Sequence, residues 1–283
     1  PERPTPKGWG GVTRRGARQV TNPTPASDEA KAYERREMAR GPRPTVDRWE
    51  GDPKPVPMPR AKKVVAKSRP IRAKSLPADV IAEVAAVAPS ARRAPMLQKR
   101  LGDAARHLQH GRDSDAVALL RPLAQEVPEA ASVRELYGQA LYAMGRYKHA
   151  AVELEAFREL SASTDQHPLL ADSYRAVGRH KKVQELWLEL RESSPSPEIV
   201  AEGRIVAAGS LGDQGKLDDA IKLLETAPPV RGRVQERHLR TWFALADLYE
   251  RAGELAKARS LFQRIRREDP DFVDVGDRLR ALG

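Results

Sequence analysis

The chain has 283 residues, room for one or two domains, with 40% hydrophobic residues and a formal net charge of +11. It contains no cysteine, which excludes disulfides, thiol nucleophiles and thiolate metal sites together. No apolar run is long enough to span a membrane, and Pro1-Glu2-Arg3-Pro4 does not open a signal peptide, so a cytosolic (cytoplasmic) protein is expected.

The charge is unevenly placed. Residues 1–75 hold 19 Lys or Arg against 8 Asp or Glu, whereas residues 76–283 hold 31 of each. The first 77 residues also hold 13 of the 23 prolines. A basic, proline-rich extension therefore precedes a neutral body. Trp9, Arg14, Arg15 and Arg18 lie among glycines with no periodic apolar face. Residues 27–40 could form a short helix, with Ser27 as N-cap, Asp28 and Glu29 in the first turn and Gly41 beyond its end. Lacking an apolar stripe, that helix is marginal without a partner. Lys54 to Pro59 alternates like a polyproline II spacer. Arg60, Lys62, Lys63, Lys67, Arg69, Arg72 and Lys74 then follow without an intervening acid. Such a run repels itself and cannot offset its ordering entropy, so the arm is expected to be largely disordered in isolation.

Order is expected from about residue 76. Pro77 to Val87 reads as a capping helix ended by Pro89, with Val80, Ile81, Val84 and Val87 as its apolar stripe; residues 76–95 make up this cap and a linker. From residue 96 onward a pattern can be followed by its glycines. Gly111, Gly145, Gly178, Gly215 and Gly253 lie 34, 33, 37 and 38 residues apart. Five residues past each comes Ala116, Ala150, Val183, Ala220 or Ala258, and four further on Leu120, Leu154, Trp187, Leu224 or Phe262. Pro128, Pro195 and Pro270 close three of the units. The fourth looks weakest, with Gly209 and Gly212 in its first helix and Pro228-Pro229 after its second. Residues 273–283 suit a last capping helix.

The clearest unit is Leu239 to Phe272. Trp242, Leu245, Ala246 and Tyr249 recur at helical spacing, Gly253 breaks the pattern, Ala258, Phe262 and Ile265 share the next face, and Pro270 closes it. This unit resembles the tetratricopeptide repeat, with Ala246 standing where Gly is usual. The resemblance implies an all-α, right-handed α-solenoid of about five helix–turn–helix repeats over residues 96–272, capped by a helix at each end.

Catalytic signatures are missing. Gly212-Asp213-Gln214-Gly215-Lys216-Leu217 lacks the hydroxyl and the glycine spacing of a P-loop, and Gly209-Ser210-Leu211-Gly212 is no nucleophile elbow. His107 and His110 are close in sequence, without a neighbouring carboxylate to suggest a metal site. Carboxylate pairs such as Asp218-Asp219 are ordinary helix-surface charge. Neither an enzyme, a cofactor nor a bound metal is expected.

Binding remains, on two surfaces. The resemblance implies a concave groove lined by the first helices of successive repeats, which takes a peptide or an extended protein segment. By position it would hold Glu135, Gln139 and Tyr142, then Asp172 and Arg175, then Phe243, Asp247, Glu250 and Arg251. The family's clamp for a C-terminal carboxylate needs Asn and Lys; the one Asn here is Asn22, in the arm. Acidic spots in the groove suit a basic or mixed partner. The arm's cations would meet a polyanion by releasing counterions, and Trp9 among Gly and Arg adds a stacking side chain that favours RNA or single strands. An anionic membrane, an acidic protein or plain solubilisation would also suit such a tail. The expected function is an adaptor that binds protein through its groove and RNA or a ribonucleoprotein, the ribosome included, through its arm. The alternative is a protein scaffold with no nucleic-acid role.

Overall fold

The computed structural model describes residues 76–193 and 196–283. The arm, with its candidate helix 27–40 and all of its cations, lies outside the described residues, as does Pro195. Among the described residues there are twelve α-helices and no strand. They are α1 (Ala78–Val87), α2 (Ala94–Gln109), α3 (Asp113–Glu126), α4 (Ala131–Ala143), α5 (Tyr147–Ser161), α6 (His167–Ala176), α7 (His180–Ser193), α8 (Pro197–Asp213), α9 (Leu217–Glu225), α10 (Glu236–Arg251), α11 (Leu255–Glu268) and α12 (Val275–Ala281).

Each of the five spaced glycines sits in a left-handed turn between two helices, with φ of 69° to 78°. A Cβ would be strained there, and only Gly adopts this conformation freely. The hydrogen bonds around each turn are the same. Gly111 N–H donates to Leu108 and Arg112 N–H to His107; at the last turn Gly253 N–H donates to Glu250 and Glu254 N–H to Tyr249. This is a Schellman closure, which satisfies the last carbonyls of one helix and starts the next within three residues.

The turns set the register of everything that packs. Ala116, Ala150, Val183, Ala220 and Ala258 are all buried, as are Leu120, Leu154, Trp187, Leu224 and Phe262. A second small residue stands seven positions before each turn: Ala104, Gly138, Ala171, Ala208 and Ala246, all buried. It lets the second helix of the pair come close.

The described chain divides into two compact units, residues 76–173 and 174–283. In the first, each helix from α1 to α5 packs on the next, and α2 also meets α4. In the second, the same succession runs from α7 to α12, and α8 also meets α10. First helices thus touch first helices of the following pair, as stacked repeats require. The second unit's core gathers Leu224, Trp242, Leu245, Tyr249, Phe262, Ile265 and Val275.

Three expectations need correction. In α1 only Val80 and Val84 are buried; Ile81 is 37% exposed, because the stripe that meets α2 is narrower than the run of apolar residues. The fourth pair has no weak first helix: α8 spans 17 residues, is capped by the Ser196 hydroxyl and starts with Pro197. Its glycines make room for guanidinium groups. A Cβ on Gly209 would lie 2.5 Å from Arg175 Cζ, and one on Gly212 3.0 Å from Arg251 Nη1. Finally, His107 does have a carboxylate neighbour, Asp115, with Nδ1 to Oδ2 at 3.7 Å.

Two helix-interior glycines should respond oppositely to alanine. At Gly138 a Cβ would lie 2.6 Å from Leu154 Cγ, whose backbone N is 3.3 Å away, so Gly138→Ala should destabilise by about 1–3 kcal/mol. At Gly102 the nearest atom is Leu76 Cγ at 3.7 Å, so Gly102→Ala should stabilise by about 0.5–1 kcal/mol. Thermal melting of both variants checks the pair; equal shifts would contradict the packing role assigned to Gly138.

Candidate protein-binding faces

In the first unit the expected groove residues of α4 turn inward. Glu135 is 8% exposed and Gln139 2%. Gln166 Nε2, at the start of α6, donates to Glu135 Oε1 at 2.6 Å, and Gln139 Nε2 approaches the same oxygen at 3.4 Å. Burial pushes the Glu135 carboxyl up to about 7; the Gln166 amide opposes that shift, while the nearby charges of Asp165 and Glu83 reinforce it. Glu83, on α1, accepts from Ser132 N–H at 3.1 Å, tying the capping helix to the start of α4. Tyr142 and Asp172 are in contact, the phenol donating to Asp172 Oδ2 at 2.5 Å. Tyr147 packs edge-on against Tyr142 at 5.4 Å, and burial with the Asp172 charge raises its pKa.

In the second unit Arg175 forms a two-pronged pair with Asp213, at 2.6 and 3.1 Å. Arg251 donates to the Gly212 carbonyl at 2.7 Å. Phe243, Asp247 and Glu250 converge on one residue that the sequence did not single out, Arg278 of α12. Its Nη2 donates to Asp247 Oδ1 at 2.9 Å and pairs with Glu250, while its guanidinium lies 5.9 Å from the Phe243 ring and 5.2 Å from Phe262. Phe243 also meets Phe262 and Phe272 edge-on, at 5.6 and 6.0 Å. The capping helix therefore engages the groove positions of α10. Asp247 and Arg278 are 31 residues apart, and no local pattern in the sequence announces the contact.

These groups pair, pack and position; they do not assemble a nucleophile, base and orienting acid. Among the described residues no group of three or more His, Asp or Glu side chains is placed to hold a metal ion. No described helix is long and apolar enough to cross a membrane. The arm residues Trp9, Arg14, Arg15, Arg18, Arg60, Lys62, Lys63, Lys67, Arg69, Arg72 and Lys74 all fall outside the described residues.

Comparison with known proteins agrees with the architecture. The tetratricopeptide repeat model matches residues 101–163 and 205–271. A thermophilic TPR protein of Thermus thermophilus is similar in structure, with a TM-score of 0.51 and 17% identity over 66% of this chain and 98% of that one. A protein of Podosopora anserina with nearly identical TPR-like repeats is similar over 61% of this chain and 94% of its own, at 20% identity and a TM-score of 0.48. No curated protein matches the sequence.

Two outcomes follow from this geometry. With its folded pKa raised, Glu135 takes stability away as pH climbs from about 4 to about 7, because the folded state holds its proton longer than the unfolded chain does. Glu135→Gln should match the wild type near pH 4 and exceed it above pH 7 by up to about 3 kcal/mol, read by denaturant unfolding across that range. Arg278→Ala strands two carboxylates beside aromatic rings and should lose about 1–2 kcal/mol. Arg278→Lys should recover only part of it, since one ammonium cannot both bridge the acids and lie flat over the rings.

Proposed function

The chain belongs to the tetratricopeptide repeat family, and we propose that it is a non-enzymatic, cytoplasmic adaptor joining a protein partner to RNA or a ribonucleoprotein. The observation that carries the protein-binding half is the repetition itself. Five helix pairs are closed by the same left-handed glycine turn. Such a scaffold offers first-helix faces to an extended segment. Of the expected groove positions, Asp172 in the first unit is half-buried and Arg251 in the second is exposed, whereas Glu135, Gln139 and Tyr142 are buried, Arg175 pairs with Asp213, and Phe243, Asp247 and Glu250 engage Arg278. Acidic side chains among them favour a partner with basic character.

The RNA half rests on where the charge lies. Residues 1–75 carry the whole excess of +11, as 19 cations against 8 acids, on a chain whose remainder is neutral. Clustered Arg and Lys bind phosphates by releasing counterions, and Trp9 can stack on a base. If about six arm cations reach phosphates, the arm's share of the log–log salt slope is about −4 to −5. The second reading, a protein scaffold alone, is favoured by the balance of 31 cations and 31 acids in residues 76–283.

Affinity capture from lysate with the full chain and with residues 76–283, each with and without nuclease, separates the two. The adaptor reading expects RNA chiefly with the full chain, lost on nuclease treatment, and at least one protein partner kept by both. Identical captures from both forms, indifferent to nuclease, would leave the scaffold reading alone standing.

A further inference from the structure

The second unit contains a concavity of about 650 Å³ between α11 and α12. Arg259, Gln263, Arg266 and Arg267 line it from α11, and Leu279, Arg280 and Gly283 from α12 and just beyond. The α11 residues stand at i, i+4, i+7 and i+8, so helical geometry puts them on one face, spread over about 12 Å of the axis. No Asp or Glu side chain is among the lining residues. Arg280 pairs with Asp277, while Arg259, Arg266 and Arg267 meet no carboxylate among the described residues.

Several other arginines of the same unit are partnered. Arg175, Arg237, Arg240 and Arg278 each face a carboxylate across the repeat, and Arg204 and Arg264 lie over Trp187 and Trp242. Around this cleft like charges gather, and three of its four arginines meet no carboxylate among the described residues. Their mutual repulsion is tolerated in water and relieved by an anion. The donors are guanidinium forks with an amide between them, which suits the oxygens of phosphate groups. The cleft is open and long enough for more than one such group.

We propose that this cleft is a second nucleic-acid contact, which holds the phosphate backbone of single-stranded RNA while the arm holds the same strand elsewhere. The inference rests on the arm reading: a chain with two cationic elements best satisfies both with one long polyanion. Readout of sequence is not expected, because the lining groups contact phosphates and the only apolar side chain among them is Leu279.

The test uses the full chain in three forms, binding fluorescein-labelled polyuridine over a range of salt. They are the wild type, the triple variant Arg259→Gln, Arg266→Gln, Arg267→Gln, and a variant with the seven cations of residues 60–74 changed to Gln. Glutamine is a good helix former, so helix content by circular dichroism should be unchanged. The proposal expects the triple variant to bind about tenfold more weakly at low salt, with a log–log slope shallower by about 2. Wild-type affinity and slope in the triple variant would overturn it, and loss of binding in the arm variant would then leave the arm reading intact. Weakened binding in the triple variant with none in the arm variant would keep the cleft and reject the arm. A triple variant that keeps wild-type affinity for polyuridine but loses binding of labelled polyglutamate would make the cleft's ligand an acidic peptide and overturn the assignment to RNA. A wild type that binds no polyuridine overturns both.

Discussion

Everything else in this molecule depends on the left-handed turn that ends each first helix. Gly111, Gly145, Gly178, Gly215 and Gly253 reverse the chain within three residues, and each closes its helix with the same pair of backbone hydrogen bonds. That fixes the phase of the second helix relative to the first. The small residue seven before the turn and the small residue five after it are then brought to the crossing, and the large residue nine after it fills the core. Burial of apolar surface supplies the driving force, but the turn decides which surface is buried.

Because each pair buries its interior with small, aliphatic and aromatic side chains, charged groups are displaced to the seams between neighbouring pairs. There they act as connectors. Arg175 with Asp213, Arg237 with Glu198 and Arg240 with Glu202 join residues 38 or 39 apart in sequence. Arg278 joins α12 to α10 through two carboxylates and two rings. Exposed pairs of this kind add little individually, whereas half-buried ones position the helices they bridge. In the arginine cleft between α11 and α12, Arg259, Arg266 and Arg267 meet no carboxylate among the described residues, and that points outward to a ligand.

The repeat was legible in the sequence because it depends on short-range signals: a glycine every 33 to 38 residues, small and large residues at fixed offsets, a proline at some ends. Gly209 and Gly212 misled, because a helix-interior glycine reads as a defect until the guanidinium groups of Arg175 and Arg251 are seen filling the space. The groove was less legible. Position in the repeat selected Glu135 and Gln139 for the accessible face, yet Gln166 closes over Glu135 from a helix start 31 residues on. Arg278 was missed for the same reason, since its partners lie one helix pair away. Counting charges showed the arm but concealed the cleft: zero net charge over residues 76–283 allows a local cluster of arginines as long as acids lie elsewhere.

The most direct test of the account is ultraviolet cross-linking of the full chain to bound RNA, followed by mapping of the cross-linked peptides. The account predicts adducts in two places, residues 1–75 and the α11–α12 cleft around Arg259 to Arg267, with none on α4. An absence of RNA adducts in both places, or adducts confined to the first-helix faces of the repeats, would contradict it.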